Sequence, residues 1–458
     1  MPPQLVLLLC FLFIIYVLYS ERKRNTQVSR ALIWPLLWYM TAATRPIGVW
    51  LYIWGFKLPS SNSPTEGSII DACWLTILIV IGIYILNSRH YRWHTIIREN
   101  IWFLLLFFFM ALSIFWSQYP MVSFKRVITS FGSVVMALVV LTEPKPVEAI
   151  IATLRRCAYF TIPLSIITIK YFRNIGVQWG NWSGEASWVG LSMSKNTLGQ
   201  VATTGALCFI WEKMRKHNSN DVRVIDFLYI IMSLYLLKGS DNAISATSIS
   251  VFATGFLIFI MLNFMKIKTE RIKPFFKLVC IIIFAIQLTL ICHTLSPFPK
   301  DSALGFLVQG MGRDMTLTGR TEIWSDIFSV ASHRPMLGTG YGAFWIGRLV
   351  NIPWSENMSW VLNQAHNGYF DIYLQLGWVG ICLLIASIFF TIPKIVRTFS
   401  FDYEYGRFRM TFFLVILFIN ITESTLLRLN HQMWFIFLLA ALTVAPYKDS
   451  SIVGVNEF

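Results

Sequence analysis

Thirteen apolar segments, each close to the length of a membrane-spanning helix, recur along the 458 residues of the sequence. A helix needs about 20 predominantly apolar residues to cross the hydrocarbon core of a bilayer, with about 17 to 25 the usual range. The pattern predicts an all-α polytopic membrane protein with about 12 to 13 transmembrane helices, depending on whether the marginal first segment crosses. The segments are residues 4–19, 31–50, 69–88, 101–118, 127–143, 152–172, 196–212, 224–239, 242–265, 276–295, 369–392, 410–425 and 430–446.

The composition excludes the soluble classes. Hydrophobic residues make up 56% of the chain and charged residues 13%, which is too little charge to cover water-soluble surfaces. The net charge of +15 does not indicate nucleic-acid binding, because the basic residues lie between apolar runs rather than in one patch. The seven cysteines show no C-x-x-C pairing, so we interpret them as packing residues.

The basic residues predict the orientation of the chain in the membrane. When the loops are assigned alternately to two sides, one side holds 24 of the 38 Lys and Arg residues, and its short loops are uniformly basic. The positive-inside rule makes that side cytoplasmic. Positive charge also follows residues 4–19 instead of preceding them, which favours a first membrane helix over a cleaved signal peptide. Two long segments, residues 173–195 and about 296–368, are then predicted on the outer face.

These two outer segments carry basic residues on the side where the topology rule disfavours them. We therefore expect an anionic ligand at the outer membrane face. The residues concerned are Arg173, Lys195, Lys300, Arg313, Arg320, Arg334 and Arg348, with Lys170 at the edge.

Arg320 precedes a run in which Ile323, Trp324, Ile327, Phe328 and Ala331 follow helical spacing. A guanidinium in the first turn of a helix is suited to phosphate oxygens. A snorkelling interfacial arginine explains the spacing equally well.

The glycine-rich run that follows, residues 338–342, has no preceding strand, so dinucleotide binding is excluded and tight turns are favoured.

His366 lies where the long outer segment enters an apolar helix that carries Gly377 and Gly380. An imidazole that is partly desolvated and near water can act as a base near neutral pH. A capping or hydrogen-bonding interfacial histidine is the alternative. Only His333 is close enough in sequence to Arg320 to be a rival base, and the two glycines can equally serve close helix packing.

The order of these residues resembles the signature of the O-antigen ligase and polymerase superfamily. The resemblance consists of His366-Asn367, nine residues, then Gly377-x-x-Gly380, preceded by Gly319-Arg320-Thr321-x-x-Trp324 and Pro335-x-x-Gly338-x-Gly340. Ser194-Lys195-Asn196-x-x-Gly199 is similar to an element common in exopolysaccharide polymerases of this superfamily. The resemblance is specific over about residues 190–385. It leaves both a ligase and a polymerase open, and the Ser194-Lys195-Asn196 element favours the polymerase.

The resemblance implies a GT-C-like helical membrane fold in the bacterial inner (cytoplasmic) membrane, with the active site facing the periplasm. It implies three regions: N-terminal helices (1–172), a catalytic region (173–392) and C-terminal helices (393–458). Family members transfer a glycan from undecaprenyl diphosphate to an acceptor hydroxyl, with inversion and without a metal or nucleotide cofactor. The implied partners are that lipid-linked donor, a glycan or lipid A core acceptor, membrane lipid and other polysaccharide assembly proteins, with no nucleic acid.

By the same resemblance, His366 matches the proposed base and Arg320 matches an arginine that holds the diphosphate. Family ligases carry a second essential arginine upstream, for which Lys195 and Arg173 are the candidates here. The competing class is a transporter or flippase for lipid-linked oligosaccharide, which would normally show repeated halves and charges at mid-membrane. Sugar stacking and an interfacial aromatic belt account equally well for Trp179, Trp182, Trp188, Trp354 and Trp360 in the outer segments.

Overall fold

The computed structural model describes residues 2–24, 28–56, 68–179, 184–215, 224–240, 245–265, 272–295, 331–346 and 363–444, together with Arg320, Trp324, Ile327 and Phe328. Apart from one short hairpin, the regular secondary structure of these residues is helical, which confirms the all-α polytopic class. The α-helices are α1 Pro3–Arg24, α2 Ile33–Ala43, α3 Ile47–Ile53, α4 Ile69–Ser88, α5 Trp93–Glu99, α6 Ile101–Leu112, α7 Pro120–Leu141, α8 Pro146–Tyr171, α9 Arg173–Gly176, α10 Lys195–Arg215, α11 Val224–Lys238, α12 Ala246–Met265, α13 Ile272–Leu295, α14 Gly368–Thr398, α15 Tyr403–Ile419 and α16 Gln432–Ala441. Two 3-10 helices are Arg30–Leu32 and Ser113–Trp116.

Each of the thirteen apolar segments contains a helix. Among the described residues, six helices are long and apolar enough to cross a membrane: α1, α4, α7, α8, α12 and α14. A seventh candidate is the bent pair of α5 and α6, which meet at an angle of 84°. Several other helices are shorter than a span, and the segment 31–50 divides into α2 and α3. The total of 12 to 13 crossings stays a prediction.

The centre of the protein is built around α15 and α16. All 10 residues of α16 are buried, and nine of them are apolar. Helix α15 is also buried over most of its surface, including two arginines, Arg407 and Arg409. A helix that is hydrophobic all round belongs inside a bundle or membrane protein. By contrast, α1 and α4 expose most of their apolar side chains, as expected of helices that face lipid.

Helix α14 is broken in its third turn, at Gly377. Gly377 has φ +64° and ψ −163°, a conformation that side-chain-bearing residues rarely adopt. The glycine-rich turn packs onto this break, because Trp378 N–H donates to Pro335 O at 2.9 Å and Gly340 N–H donates to Gln375 O at 2.9 Å. The unpaired backbone groups of the break are thereby satisfied inside the protein, as membrane burial requires.

A small antiparallel hairpin, Val177–Trp179 paired with Ala186–Trp188, precedes α10. Arg45, at the break between α2 and α3, fixes this region by donating to Ile175 O at 2.6 Å and Ser192 O at 3.2 Å. The hairpin therefore has a fixed position relative to the start of α10. Local sequence gave no indication of these strands.

Candidate active site at one end of the bundle

The helical residues Arg320, Trp324, Ile327, Phe328 and Ala331 agree with the spacing predicted for the outer segment. Trp324 and Ile327 are buried, and the Trp324 and Phe328 rings both contact Phe370 of α14, with centroids 5.0 and 4.9 Å apart. Trp324 Nε1–H also donates to Ala365 O at 2.8 Å. The helix that carries Arg320 is thus tied to the residue immediately before His366.

His366 lies at a sharp turn where the chain enters α14. Its φ of +52° is in the left-handed region, which costs a non-glycine residue roughly 1–2 kcal/mol. Asn367 then caps α14 by accepting hydrogen bonds from Tyr369 N–H at 3.0 Å and Phe370 N–H at 3.2 Å. Strained residues cluster at functional sites, where the surrounding structure holds them in place. The capping function thus belongs to Asn367, and the imidazole of His366, 26% exposed, is directed elsewhere.

Asp371, in the first turn of α14, holds the segments around His366 together. Its buried carboxylate accepts hydrogen bonds from Ala365 N–H at 3.1 Å and from Trp345 Nε1–H at 2.8 Å. Ser424 Oγ–H donates to the same carboxylate. Three segments distant in sequence therefore converge on one acceptor, which fixes the positions of His366 and of the residue before Ser424.

That residue, Glu423, lies at the centre of the site. Its Oε1 accepts a hydrogen bond from Asn196 Nδ2 at 2.6 Å and lies 3.4 Å from Arg320 Nη2. Its Oε2 lies 3.5 Å from His366 Nδ1, and the side chain is only 5% exposed. The starts of α10 and α14, the end of α15 and the Arg320 helix thus meet at one carboxylate.

The electrostatics of Glu423 favour its charged form. Burial opposes ionisation, but Arg320 lies 3.4 Å and His366 3.5 Å from the carboxylate, and the positive charge of Arg428 is also nearby, so its surroundings favour the ionised form. A buried carboxylate with these partners is negative at neutral pH. It can therefore stabilise positive charge on the neighbouring imidazole.

The Nδ1 atom of His366 faces a second group, Gln364. Gln364 Nε2 lies 3.3 Å from His366 Nδ1, and Arg428 donates to Gln364 Oε1. Nδ1 is thus occupied by protein groups. The other ring nitrogen, Nε2, makes no hydrogen bond to any residue that the structure describes, and it is the nitrogen that can face a ligand.

The basic residues expected beside Arg320 differ in their positions. Lys195 is the first residue of α10 and precedes Asn196, whose amide contacts Glu423, so its backbone is part of the cluster. Arg173 is exposed on α9, next to the hairpin, and no contact to Glu423 is recorded for it among the described residues. The backbone of Lys195 therefore lies beside the cluster, but among the described residues neither its side chain nor that of Arg173 contacts Arg320, Glu423 or His366.

The tryptophans of the outer segments differ in exposure. Trp179 is 62% exposed on the hairpin, whereas Trp188 packs against Tyr235 with ring centroids 5.2 Å apart. Trp182 and Trp354 lie outside the described residues, as does most of the segment 296–368.

The glycines of the motif allow the backbone conformations of the turn and of the helix break. Gly338 and Gly340 have positive φ angles in the turn that packs on the α14 break, and Gly380 is buried one turn beyond Gly377. His333, the rival base, is exposed in the turn after Ala331. Within the described part of the chain, no group of three or more His, Cys, Asp or Glu side chains is arranged to hold a metal ion.

Glu423 was not among the site residues predicted from the sequence. One signal was available, because Glu423 is a carboxylate within an otherwise uncharged stretch, residues 410–427. Ionisable residues in such stretches are costly unless paired and are functional candidates by default. Its partners could not be found, since Asn196 and His366 are 227 and 57 residues away.

The fold and this cluster define a multi-pass membrane protein with an arginine, a carboxylate and a histidine gathered at one end of its helices. Residues 227–385 match the family model described as O-antigen ligase. The chain is 24% identical over 305 residues to the exopolysaccharide production protein ExoQ of Rhizobium meliloti (strain 1021), a match that covers 62% of each protein. The matched region therefore spans less than two thirds of that relative.

These matches confirm the resemblance to the O-antigen ligase and polymerase superfamily over residues 227–385. The matched residues include Arg320, His366, Gly377 and Gly380. Asn196 and Glu423 lie outside the family match, so their contacts with the site come from the tertiary structure.

Proposed function

We propose that the protein is an inverting, metal-independent glycan transferase that moves an oligosaccharide from undecaprenyl diphosphate to an acceptor hydroxyl. The reaction takes place at the periplasmic face of the bacterial inner membrane, in the polymerisation or ligation of a surface polysaccharide. The observation that carries this proposal is the meeting of Arg320, Glu423 and His366 at one end of the bundle. It combines a phosphate-binding cation with a base whose protonated form is stabilised.

His366 is the base. In the neutral ring, Nδ1 carries the proton, because the charged Glu423 carboxylate is a stronger partner for Nδ1 than the Gln364 NH2 group. The unprotonated Nε2 then accepts the proton of the acceptor hydroxyl. Glu423 then stabilises the imidazolium, as the buried aspartate of a Ser-His-Asp triad does. A sugar hydroxyl is a poor nucleophile, so a positioned base contributes about 10²- to 10⁴-fold in rate.

Arg320 binds the diphosphate. The acceptor oxygen forms a bond to the anomeric carbon while the bond from that carbon to the phosphate oxygen breaks, and the electron pair leaves with the lipid diphosphate. The guanidinium stabilises the developing negative charge, and removing one such contact costs about 10²- to 10³-fold in rate. Lys195 supplies the second positive charge in place of the second arginine of family ligases, and Arg173 is the next candidate.

Trp179 is suited to stacking on a sugar ring because it is largely exposed on the hairpin that precedes Lys195. For the acceptor we favour a second lipid-linked repeat over lipid A core. Two observations support this choice: the Ser194-Lys195-Asn196 element, and the similarity to a protein described as producing exopolysaccharide.

The test uses purified protein with a synthetic undecaprenyl-diphosphate oligosaccharide, without nucleotide or added metal, and follows products by mass. Release of lipid diphosphate with a lengthened lipid-linked chain establishes a polymerase, and transfer only to added lipid A core establishes a ligase. Donor binding without transfer to either acceptor would favour a function as a transporter or flippase. His366→Ala and Arg320→Ala should each abolish transfer with normal amounts of protein in the membrane, and normal product from His366→Ala would disprove the base assignment.

A further inference from the structure

The two oxygens of Glu423 have different partners. Oε1 faces two donors, Asn196 Nδ2 at 2.6 Å and Arg320 Nη2 at 3.4 Å, whereas Oε2 faces His366 Nδ1. The contact with Asn196 is the shortest of the three. A hydrogen bond to an ionised carboxylate is about twice as strong as one between neutral groups. Asn196 is therefore the group that most strongly restricts rotation of the carboxylate.

The orientation of the Asn196 amide follows from its neighbours. An ionised carboxylate only accepts hydrogen bonds, so the amide atom that faces Glu423 must be the NH2 group. The amide oxygen then faces Ser245 Oγ at 3.1 Å, and the Ser245 hydroxyl donates to it. Ser245 is held in turn by Ser248, with the two hydroxyl oxygens 2.9 Å apart. The amide is fixed at both of its ends.

The spacing of the Ser194-Lys195-Asn196-x-x-Gly199 element supports this arrangement. Asn196 and Gly199 are three residues apart, so they share one face of α10, the face that meets the start of α12. A Cβ atom at Gly199 would lie 2.0 Å from Ser248 Oγ. Only glycine lets α12 approach closely enough for Ser245 to reach the Asn196 amide.

We propose that Asn196 is a positioning residue that acts through Glu423. Its amide holds Oε1 of the carboxylate, so that Oε2 is presented to His366 Nδ1 and the Nε2 lone pair is available as the base. This inference rests on the proposed transferase function. Asn196 itself touches neither the donor nor the acceptor.

The test exchanges the two groups. In Glu423→Gln, Asn196 and Arg320 both donate towards the position that Oε1 occupies in the wild type. The new amide therefore turns its oxygen to them and its NH2 group to His366 Nδ1. In the double variant Asn196→Asp/Glu423→Gln, the carboxylate at 196 accepts from the NH2 at 423, and the amide oxygen faces His366 instead. The double variant should therefore be at least about 10-fold faster in transfer than Glu423→Gln alone.

Single variants provide a second measurement. Asn196→Ala should lower kcat about 10- to 100-fold with little change in KM for the donor, and Ser245→Ala should lower kcat by a smaller factor. Asn263→Ala is the matched control, since Asn263 also pairs with a charged group, Arg407 at 3.2 Å, at the other end of α12. It should leave kcat unchanged.

The outcomes separate the two proposals. If the wild-type protein does not transfer glycan, the proposed function fails. If the wild type is active, the positioning role is overturned by an Asn196→Ala variant with wild-type kcat, or by a folded double variant no faster than Glu423→Gln. A raised KM for the donor with unchanged kcat in Asn196→Ala would also overturn it, because that result indicates a binding role.

Discussion

Replacing Glu423 with glutamine removes one negative charge from the centre of the site and preserves the shape of the side chain. Three donors surround the native carboxylate, namely Asn196, Arg320 and, in the active tautomer, His366. Glutamine has one amide oxygen to offer and adds two N–H donors of its own. Because two of the three donors face the Oε1 position, the amide oxygen turns there and the NH2 group faces His366 Nδ1.

The consequence for His366 follows from its two ring nitrogens. In the wild type, His366 Nδ1 lies 3.3 Å from the Gln364 NH2 group and 3.5 Å from the charged Glu423 carboxylate, which is the acceptor of the two and keeps the ring proton on Nδ1. With glutamine at 423, Nδ1 faces two NH2 groups and no acceptor, so it must itself accept. The ring proton then moves to Nε2, and the lone pair that takes the acceptor proton is lost. Loss of a positioned base costs about 10²- to 10⁴-fold in rate, and a wrong tautomer costs about 10⁴-fold in serine proteases. We expect kcat to fall by about 10²- to 10⁴-fold. KM for the donor should not rise, because Arg320 loses its counter-charge and keeps its own charge.

The assay measures the initial rate of lipid diphosphate release from the synthetic donor by purified protein in detergent or nanodiscs. Glu99→Gln is the control, because Glu99 pairs with the exposed Arg397 at 3.6 Å and a surface pair of this kind contributes little to stability. A Glu423→Gln variant with more than about one third of the wild-type kcat would refute the tautomer argument. So would a variant that loses activity only through a higher KM for the donor.

Two further results are expected. Arg320→Lys should keep the positive charge but lose the planar, bidentate phosphate contact, so kcat in the same assay should fall by roughly 10-fold or more. An unchanged kcat would contradict the diphosphate-binding role of Arg320. Gly377→Ala should destabilise the protein by at least about 2 kcal/mol in thermal unfolding, since a Cβ there would lie 2.3 Å from a backbone oxygen, whereas Gly55→Ala, at φ +90° in open space, should cost less.

The membrane-protein class and the positions of the helices were predictable because the signal is local. Each of the thirteen apolar segments contains a helix, and Ile69–Ser88 begins and ends at the predicted residues. Hydropathy over about 20 residues decides whether a segment enters a bilayer, and that quantity depends on the segment alone. The order of Arg320, His366 and Gly377 was likewise sufficient to identify the family resemblance.

The sequence did not predict the interruption of its helices or the docking of its turns. The break at Gly377 requires the backbone of residues 335–340 to pack against it, and the hairpin at 177–188 is fixed by Arg45. Such contacts join segments far apart along the chain. Their formation depends on which faces the packed helices present to each other.

The sequence by itself determined a multi-pass helical protein and the identities of its candidate cation and base. Only the tertiary structure decided that Glu423 joins Arg320 and His366, and that Asn196 holds the carboxylate. The physical reason is that a buried charge in apolar surroundings must find its partners in space, and those partners come from whichever helix ends the fold brings together. No local pattern records that a residue in α10 will meet the end of α15.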